Sequence, residues 1–132
     1  MNKNQPSQRE LFSKVEAALA AFSAGRYMVG VPEQLADDLA DVGIDTQHDF
    51  WKLLPRLLEE LKNAGPSACY KGWRPAPEIA GEHLIKGLKL WAYVWKSEEL
   101  GLRVYLKFCL KENAAGKAHY LHVRIHKDRP PK

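Results

Sequence analysis

The sequence has few cysteines and no long apolar run. Its two cysteines, Cys69 and Cys109, lie forty residues apart, and this spacing indicates neither a disulfide framework nor a zinc site. No apolar stretch approaches the roughly 18 residues that a membrane-spanning helix needs, and the N-terminus opens polar, without the apolar region of a signal peptide. We therefore expect a cytoplasmic protein with no membrane partner.

Several catalytic signatures are also missing from the chain. It contains no Gly-rich phosphate loop, no His-Glu-x-x-His, no paired-carboxylate motif and no Gly-x-Ser-x-Gly, so nucleotide hydrolysis, zinc proteolysis and serine hydrolysis lack support. Three histidines near the C-terminus would bind a metal only in an irregular strand, because His119 falls on the opposite face of a regular strand from His122 and His126. The sequence thus predicts neither a metal nor another cofactor.

Composition and charge predict one folded domain with a basic C-terminal part. The 132 residues are 45% hydrophobic and 27% charged, which is typical of a globular protein, and the length suits a single domain over residues 1–132. Residues 81–132 carry eleven basic and five acidic side chains, a formal charge of +6, whereas the first eighty carry nine and eleven, or −2. This asymmetry indicates a polyanion-binding surface or, equally, an ordinary solvated lysine-rich one.

Residues 7–64 are predicted to be mainly helical. Apolar residues recur at helical spacing in three segments, 7–25, 32–43 and 46–61. Ser7 with Glu10 forms a capping box before the first segment, and Arg26 to Val31 reads as a connector or a short strand. Pro55 lies inside the third and most apolar segment, where its ring should kink the helix or mark a restart.

Residues 65–86 are rich in glycine and proline and are predicted to form a long connecting loop. Within this loop, Lys71, Trp73 and Arg74 place cations beside aromatic rings. Such a combination can stack on nucleotide bases and contact phosphates. A structural role, in which the aromatics pin the loop to the domain, fits the same residues.

Residues 87–127 change to strict alternation and predict three strands of an antiparallel meander. The aliphatic residues on one side of each strand would form the face that the helices cover. In the last strand these residues are Leu121, Val123 and Ile125. The predicted fold is therefore α+β, with N-terminal helices packed on one face of a C-terminal antiparallel sheet of three or more strands.

The opposite face of that sheet would interleave cations with aromatic rings. Its members are Lys89, Trp91, Tyr93, Trp95, Arg103, Tyr105, Lys107, Tyr120, His122, Arg124 and His126. Single-stranded RNA is recognised mainly by stacking of bases and by contacts to phosphates, so this composition suits RNA. The alternative is that the aromatics of the first strand are buried in the core.

The same face predicts residues for RNA cleavage. Cleavage without a metal requires a base for the ribose 2′-proton, cations for the phosphorane, and an acid for the leaving 5′-oxygen. His122 and His126 can serve as base and acid near neutral pH. Arg124 or Arg103 can hold phosphate oxygens. Tyr105, Lys71 and Lys127 are further donors, although the whole set can equally be an inert, exposed face.

In the order of its motifs the chain resembles the RelE/ParE superfamily of small bacterial toxins, and most closely its MqsR branch of mRNA interferases. The matching segments are a helix running into Gly25-Arg26-Tyr27, the stretch Leu39 to Asp45, Tyr70-Lys71, Val104-Tyr105-Leu106-Lys107, and a closing strand that ends Ile125-His126-Lys127. The chain departs from the MqsR pattern in its greater length and its outward histidines, and a glutamine expected before the middle strand is missing.

This resemblance implies a RelE-like fold and a metal-independent endoribonuclease that cleaves mRNA, on or off the ribosome, and is held inactive by a cognate antitoxin. It nominates Lys71, Tyr105 and Lys127 as counterparts of functional positions, and it supports basic residues on the sheet, here Arg103, Arg124 and His126. The competing hypothesis is a non-catalytic module that binds RNA or a partner protein through the same face.

Overall fold

The computed structural model describes residues 6–72 and 88–128. In these residues four helices precede or flank a five-stranded sheet, so the predicted α+β class is confirmed. In chain order the elements are α1 (Gln8–Ser23), β1 (Tyr27–Val29), α2 (Pro32–Val42), α3 (Gln47–Ala64), α4 (Pro66–Cys69), β2 (Tyr70–Gly72), β3 (Trp91–Ser97), β4 (Leu102–Glu112) and β5 (Ala118–Lys127).

The long helices begin where their capping residues predict. The Ser7 hydroxyl accepts a hydrogen bond from the Glu10 amide at 3.1 Å, and Thr46 does the same for Asp49 at 3.0 Å, which satisfies amides that the first helical turn leaves unpaired. Helix α3 runs through Pro55 as one element, so the helix does not restart there. Its fully buried leucine face compensates for the hydrogen bond that the proline removes.

The predicted connecting loop over residues 65–86 is wrong in its first part. Residues 66–69 form α4 and residues 70–72 form β2, which pairs antiparallel with β3. Pro66 occupies the first position of α4, where a missing amide hydrogen costs nothing. Trp73 and Arg74, with the rest of the loop, lie outside the described residues.

The sheet has the strand order β1-β5-β4-β3-β2. Strands β3, β4 and β5 form the predicted antiparallel meander. Strand β1 is the short strand that the sequence allowed, and it runs parallel to the first part of β5, with Tyr27 opposite Tyr120. Its position is reinforced by the Arg26 Nε, which donates to the Ala118 carbonyl at 2.9 Å.

Helices α1 and α3 cover one face of the sheet, called here the core face; the other is called the second face. The prediction that the aliphatic side of β3 would face the helices is wrong, although Ala92 and Val94 on that side are buried. Trp91, Tyr93 and Trp95 pack in the main core cluster with the residues of α1 and α3, and they lie opposite Phe108, Leu106 and Val104 of β4. Large rings bury more apolar area than Ala92 and Val94 would, which favours this orientation.

A carboxylate on α3 helps to fix that orientation. Glu60 accepts hydrogen bonds from the Trp95 indole at 3.2 Å, the Ser97 hydroxyl at 2.6 Å, and the amides of Glu98 and Glu99 at 2.8 and 3.0 Å. Partial burial alone would raise the pKa of Glu60, but these hydrogen bonds lower it overall. The polar end of Trp95 therefore has a partly buried partner at the edge of the core.

Strand β5 contains a bulge that reverses its alternation. Lys107 of β4 lies opposite Arg124, but the next residue, Phe108, lies opposite His122, so Val123 is an extra residue on β5. Such an insertion moves the following side chains to the other face. Before the bulge Tyr120 and His122 face the core; after it Ile125 faces the core while Arg124 and His126 lie on the second face.

The outward placement predicted for Tyr120 and His122 is therefore wrong. Leu121 and Val123 are buried as predicted, but on the second face rather than on the face that the helices cover. Those two residues pack instead in a smaller cluster with Val31 and Cys109. The placement of Ile125, Arg124 and His126 is confirmed.

Of the helices in the described ranges, none combines the length and apolarity that crossing a membrane requires.

Candidate functional site

Four residues predicted for the site come together on the second face of β4 and β5. Tyr105 lies directly opposite His126, and Lys107 directly opposite Arg124. We call these four residues the β4–β5 site. Because residues two apart on a strand share a face, both pairs project to the same side, and Arg103 follows next along β4. The predicted adjacency of the two strands is thus confirmed, with His122 excluded.

The rings of Tyr105 and His126 are stacked. Their centroids are 4.7 Å apart and their planes differ by 11°. The ammonium group of Lys107 lies 5.4 Å from the centroid of the Tyr105 ring, a distance at which a cation is attracted to the ring face. The stack restricts the imidazole to one orientation, and both rings stay partly exposed to solvent.

The imidazole of His126 has one defined hydrogen bond. Its Nδ1 lies 2.8 Å from the carbonyl oxygen of Lys127. A carbonyl only accepts, so we assign the ring proton to Nδ1, which leaves Nε2 with its lone pair in the neutral ring. The described residues offer Nε2 no hydrogen-bond partner. A histidine held in this tautomer is arranged to accept a proton at Nε2.

Arg124 is bound by a carboxylate from α2. Its Nε and Nη2 donate to the two oxygens of Asp38 at 2.8 and 2.9 Å. These hydrogen bonds raise the pKa of Arg124 above its ordinary value. The Arg124 side chain retains 35% exposure, whereas that of Asp38 retains 4%. The site therefore contains a fixed cation beside a histidine with an open nitrogen.

His122 is a core residue with no access to this site. It is 1% exposed, its Nδ1 lies 3.1 Å from the Tyr120 hydroxyl, and its ring meets Phe50 edge-on at 4.7 Å. Its Nε2 is buried with no hydrogen-bond partner. Burial lowers the pKa of His122 to about 3, aided by Arg124 and opposed by Asp38. It stays neutral near pH 7 and cannot exchange protons with a substrate.

The other predicted cations are dispersed. Arg103 binds Asp128 at 2.9 Å at the exposed end of β4. Lys71 lies exposed on the edge strand β2. Lys89 precedes β3, with its ammonium 5.6 Å from the Trp91 ring. Lys127 lies opposite Val104, a core-face position, so it does not share the second face with His126. Only Arg103 of these four adjoins the β4–β5 site.

Sequence reasoning missed Asp38, the residue that holds Arg124. A signal for it exists in α2, where Leu35, Leu39 and Val42 form the buried stripe. Asp38 follows Leu35 by three residues and therefore lies on that apolar side of the helix. A carboxylate there requires a buried partner, since an unpaired buried charge is costly. The partner itself was not recognisable, because the contact spans 86 positions in the chain.

No grouping of three or more histidine, cysteine, aspartate or glutamate side chains suited to a metal ion occurs within residues 6–72 and 88–128. Searches against protein-family models, curated proteins and solved structures found no match to this chain.

Proposed function

We propose that the chain is a metal-independent endoribonuclease that uses the β4–β5 site. The observation that carries this proposal is the juxtaposition of His126, whose Nε2 is open, with the cations of Arg124 and Lys107 on one face of two paired strands. A proton acceptor beside two phosphate-binding cations is what transfer of a phosphodiester to the ribose 2′-oxygen requires.

Each residue has a role in the proposed reaction. Nε2 of His126 takes the proton of the 2′-hydroxyl, whose oxygen then attacks the adjacent phosphorus. Arg124 and Lys107 bind the nonbridging oxygens and stabilise the charge that develops on them. The hydroxyl of Tyr105, whose ring stacks on the imidazole, donates a proton to the departing 5′-oxygen. The products are a 2′,3′-cyclic phosphate and a 5′-hydroxyl end.

The burial of most sheet aromatics weakens the alternative of a purely binding module. Five aromatic residues of β3–β5 were predicted to form a stacking surface, and of these only Tyr105 lies on the second face. Trp91, Tyr93, Trp95 and Tyr120 are in the core. Sequence-tolerant binding of single-stranded RNA usually employs several exposed rings along a groove. A compact site for one scissile phosphate fits the second face better.

The biological role that we propose is that of a toxin controlled by an antitoxin. This part rests on the resemblance to the RelE/ParE superfamily, carried by Tyr70-Lys71, Val104 to Lys107 and the closing strand. Expression of the chain should arrest growth, and coexpression of a neighbouring open reading frame should relieve the arrest. Arrest that persists in a His126→Ala variant would contradict the assignment of this site to toxicity.

The enzymatic proposal is tested with purified protein and end-labelled single-stranded RNA, in EDTA, with and without ribosomes. The wild type should cut, whereas His126→Ala and Arg124→Ala should not. Two matched controls change exposed residues of the same type on α3, namely His48→Ala and Arg56→Ala, and both should cut at the wild-type rate. Failure of the wild type to cut in every condition would refute the proposal.

A further inference from the structure

Asp38 makes three hydrogen bonds that connect the Arg124 guanidinium to its own strand. Besides the two bonds from Arg124, Asp38 Oδ2 accepts the amide of Ile125 at 3.2 Å. The carboxylate thus closes a ring that runs from the guanidinium through Asp38 to the backbone next to Arg124. His126 follows Ile125 directly. The ring of hydrogen bonds therefore holds the Arg124 guanidinium in a fixed position relative to the imidazole of His126, the proposed base.

The carboxylate occupies only one edge of the guanidinium. An arginine carries five N–H donors, and Asp38 takes one on Nε and one on Nη2. The described part of the chain provides no acceptor for the other three. These belong to Nη1 and Nη2, the pair that forms the end-on fork suited to two phosphate oxygens. Asp38 therefore holds Arg124 and leaves a complete phosphate fork available.

We infer that Asp38 is a positioning residue of the proposed ribonuclease: it orients the end-on fork of Arg124 toward the scissile phosphate beside His126. This inference rests on the proposed function and extends it to α2, which carries none of the reacting groups. The contribution is preorganisation, because a flexible arginine would have to be ordered during each turnover.

Asp41 provides a matched comparison on the same helix. Its Oδ2 accepts a hydrogen bond from the amide of Lys127 at 2.8 Å. Asp41 thus caps the edge of β5 as Asp38 does, but two residues further along the strand. Asp38 combines this cap with the two bonds to Arg124. A role confined to capping the strand edge predicts similar effects for both residues, whereas a positioning role predicts an effect on the reaction for Asp38 only.

The test is a double-mutant cycle on cleavage rate. The variants are Asp38→Asn, Arg124→Lys and the double variant, with Asp41→Asn and its combination with Arg124→Lys as the parallel cycle. Lysine keeps the charge at position 124 and loses the fork. Single-turnover rates on one RNA oligonucleotide, kcat and KM, and thermal unfolding are measured for each. Asp38→Glu, which keeps the carboxylate but displaces its oxygens, is added in case Asp38→Asn does not fold.

Asp38→Asn should lower kcat by up to about 100-fold with a smaller change in KM. Adding it to Arg124→Lys should change the rate by no more than about twofold, since the fork is already lost. Asp38→Glu should fall between the wild type and Asp38→Asn. In the parallel cycle, the rate changes caused by Asp41→Asn and by Arg124→Lys should multiply in the double variant.

The inference is overturned if Asp38→Asn and Asp38→Glu alter only the melting temperature, or if the effects of Asp38→Asn and Arg124→Lys multiply. In either case the wild type still cuts RNA and the proposed function stands. A wild type that never cuts overturns both.

Discussion

Strand β5 has two halves that resemble each other in sequence and differ in environment. Tyr120 to His122 and Arg124 to His126 each place a histidine two residues after a polar or aromatic residue. The first half is fully buried, with Tyr120 and His122 under α1 and α3, whereas the second half leaves Arg124 and His126 partly exposed beside α2. One residue, Val123, separates the two. A histidine's role in this strand is thus set by the bulge rather than by its neighbours in sequence.

The strongest test of this comparison is deletion of Val123. Because Lys107 and Phe108 already pair with Arg124 and His122, β5 without the extra residue becomes a regular strand in which Tyr120, His122 and Ile125 stay on the core face and Arg124 and His126 stay on the second face. We therefore expect thermal unfolding, measured by circular dichroism, to remain cooperative, with a loss of stability of up to about 5 kcal/mol from the buried contacts of Val123. Insertion of one glycine after Ala115, in the exposed β4–β5 turn, is the control and should cost less than about 1 kcal/mol. Loss of cooperative unfolding in the deletion variant would contradict the assignment of Val123 as the extra residue of the bulge.

The second test makes the same substitution on both sides of the bulge. His122→Ala removes a buried ring and leaves the Tyr120 hydroxyl without its partner, so it should lower the free energy of unfolding by about 2–4 kcal/mol. His126→Ala removes one ring of a partly exposed stack and should cost about 1 kcal/mol or less. Urea denaturation measures both values. Equal losses would show that the two histidines do not differ in burial as described.

The third test uses pH. The pKa of His122 is lowered to about 3 in the folded protein, by burial, against about 6.5 in the unfolded chain. Between these values the unfolded state binds the additional proton, so stability falls as pH falls from about 6.5 toward 3, by up to about 1.4 kcal/mol per pH unit. His122→Asn, which can still bond the Tyr120 hydroxyl, should give a shallower decline in this range. Parallel stability curves for the two proteins would refute this origin of acid sensitivity.

The smallest expected effect concerns the exposed ion pair that lies beside the site. The side chain of Arg103 is 59% exposed where it binds Asp128, and Arg124 binds the buried Asp38. Arg103→Ala should lower stability by about 0–1 kcal/mol, and 1 M salt should remove most of the difference. Thermal unfolding at two salt concentrations measures it. A larger, salt-independent loss would mean that Arg103 is part of the packed structure.

Local sequence signals predicted the elements better than their faces. The caps at Ser7 and Thr46 and the alternation of β4 correspond to interactions within a few residues, so the helix starts and the outward placement of Arg103, Tyr105 and Lys107 could be predicted. The orientation of β3 depends on which side chains fill the space beneath α1 and α3, which alternation alone does not decide.

The composition of the site was predictable only in part for the same reason. Residues 121, 123 and 125 of β5 are all aliphatic, which is the pattern of a regular strand with one apolar face. The sequence around Val123 therefore gave no sign of the bulge. The predicted placement of Arg124 and His126 on the second face is correct because both residues follow the bulge. The long-range contact with Asp38 required the placement of α2, which depends on the packing of the whole chain.

Asp38 and Asp41 of α2 also have a consequence for behaviour in concentrated solution. Strand β1 pairs only with residues 120–122 of β5, and beyond that point Asp38 and Asp41 accept the amides of Ile125 and Lys127. An unprotected row of amides at that position would be a template on which strands of other molecules could add. By placing negatively charged acceptors there, the helix closes the sheet to self-association along this side.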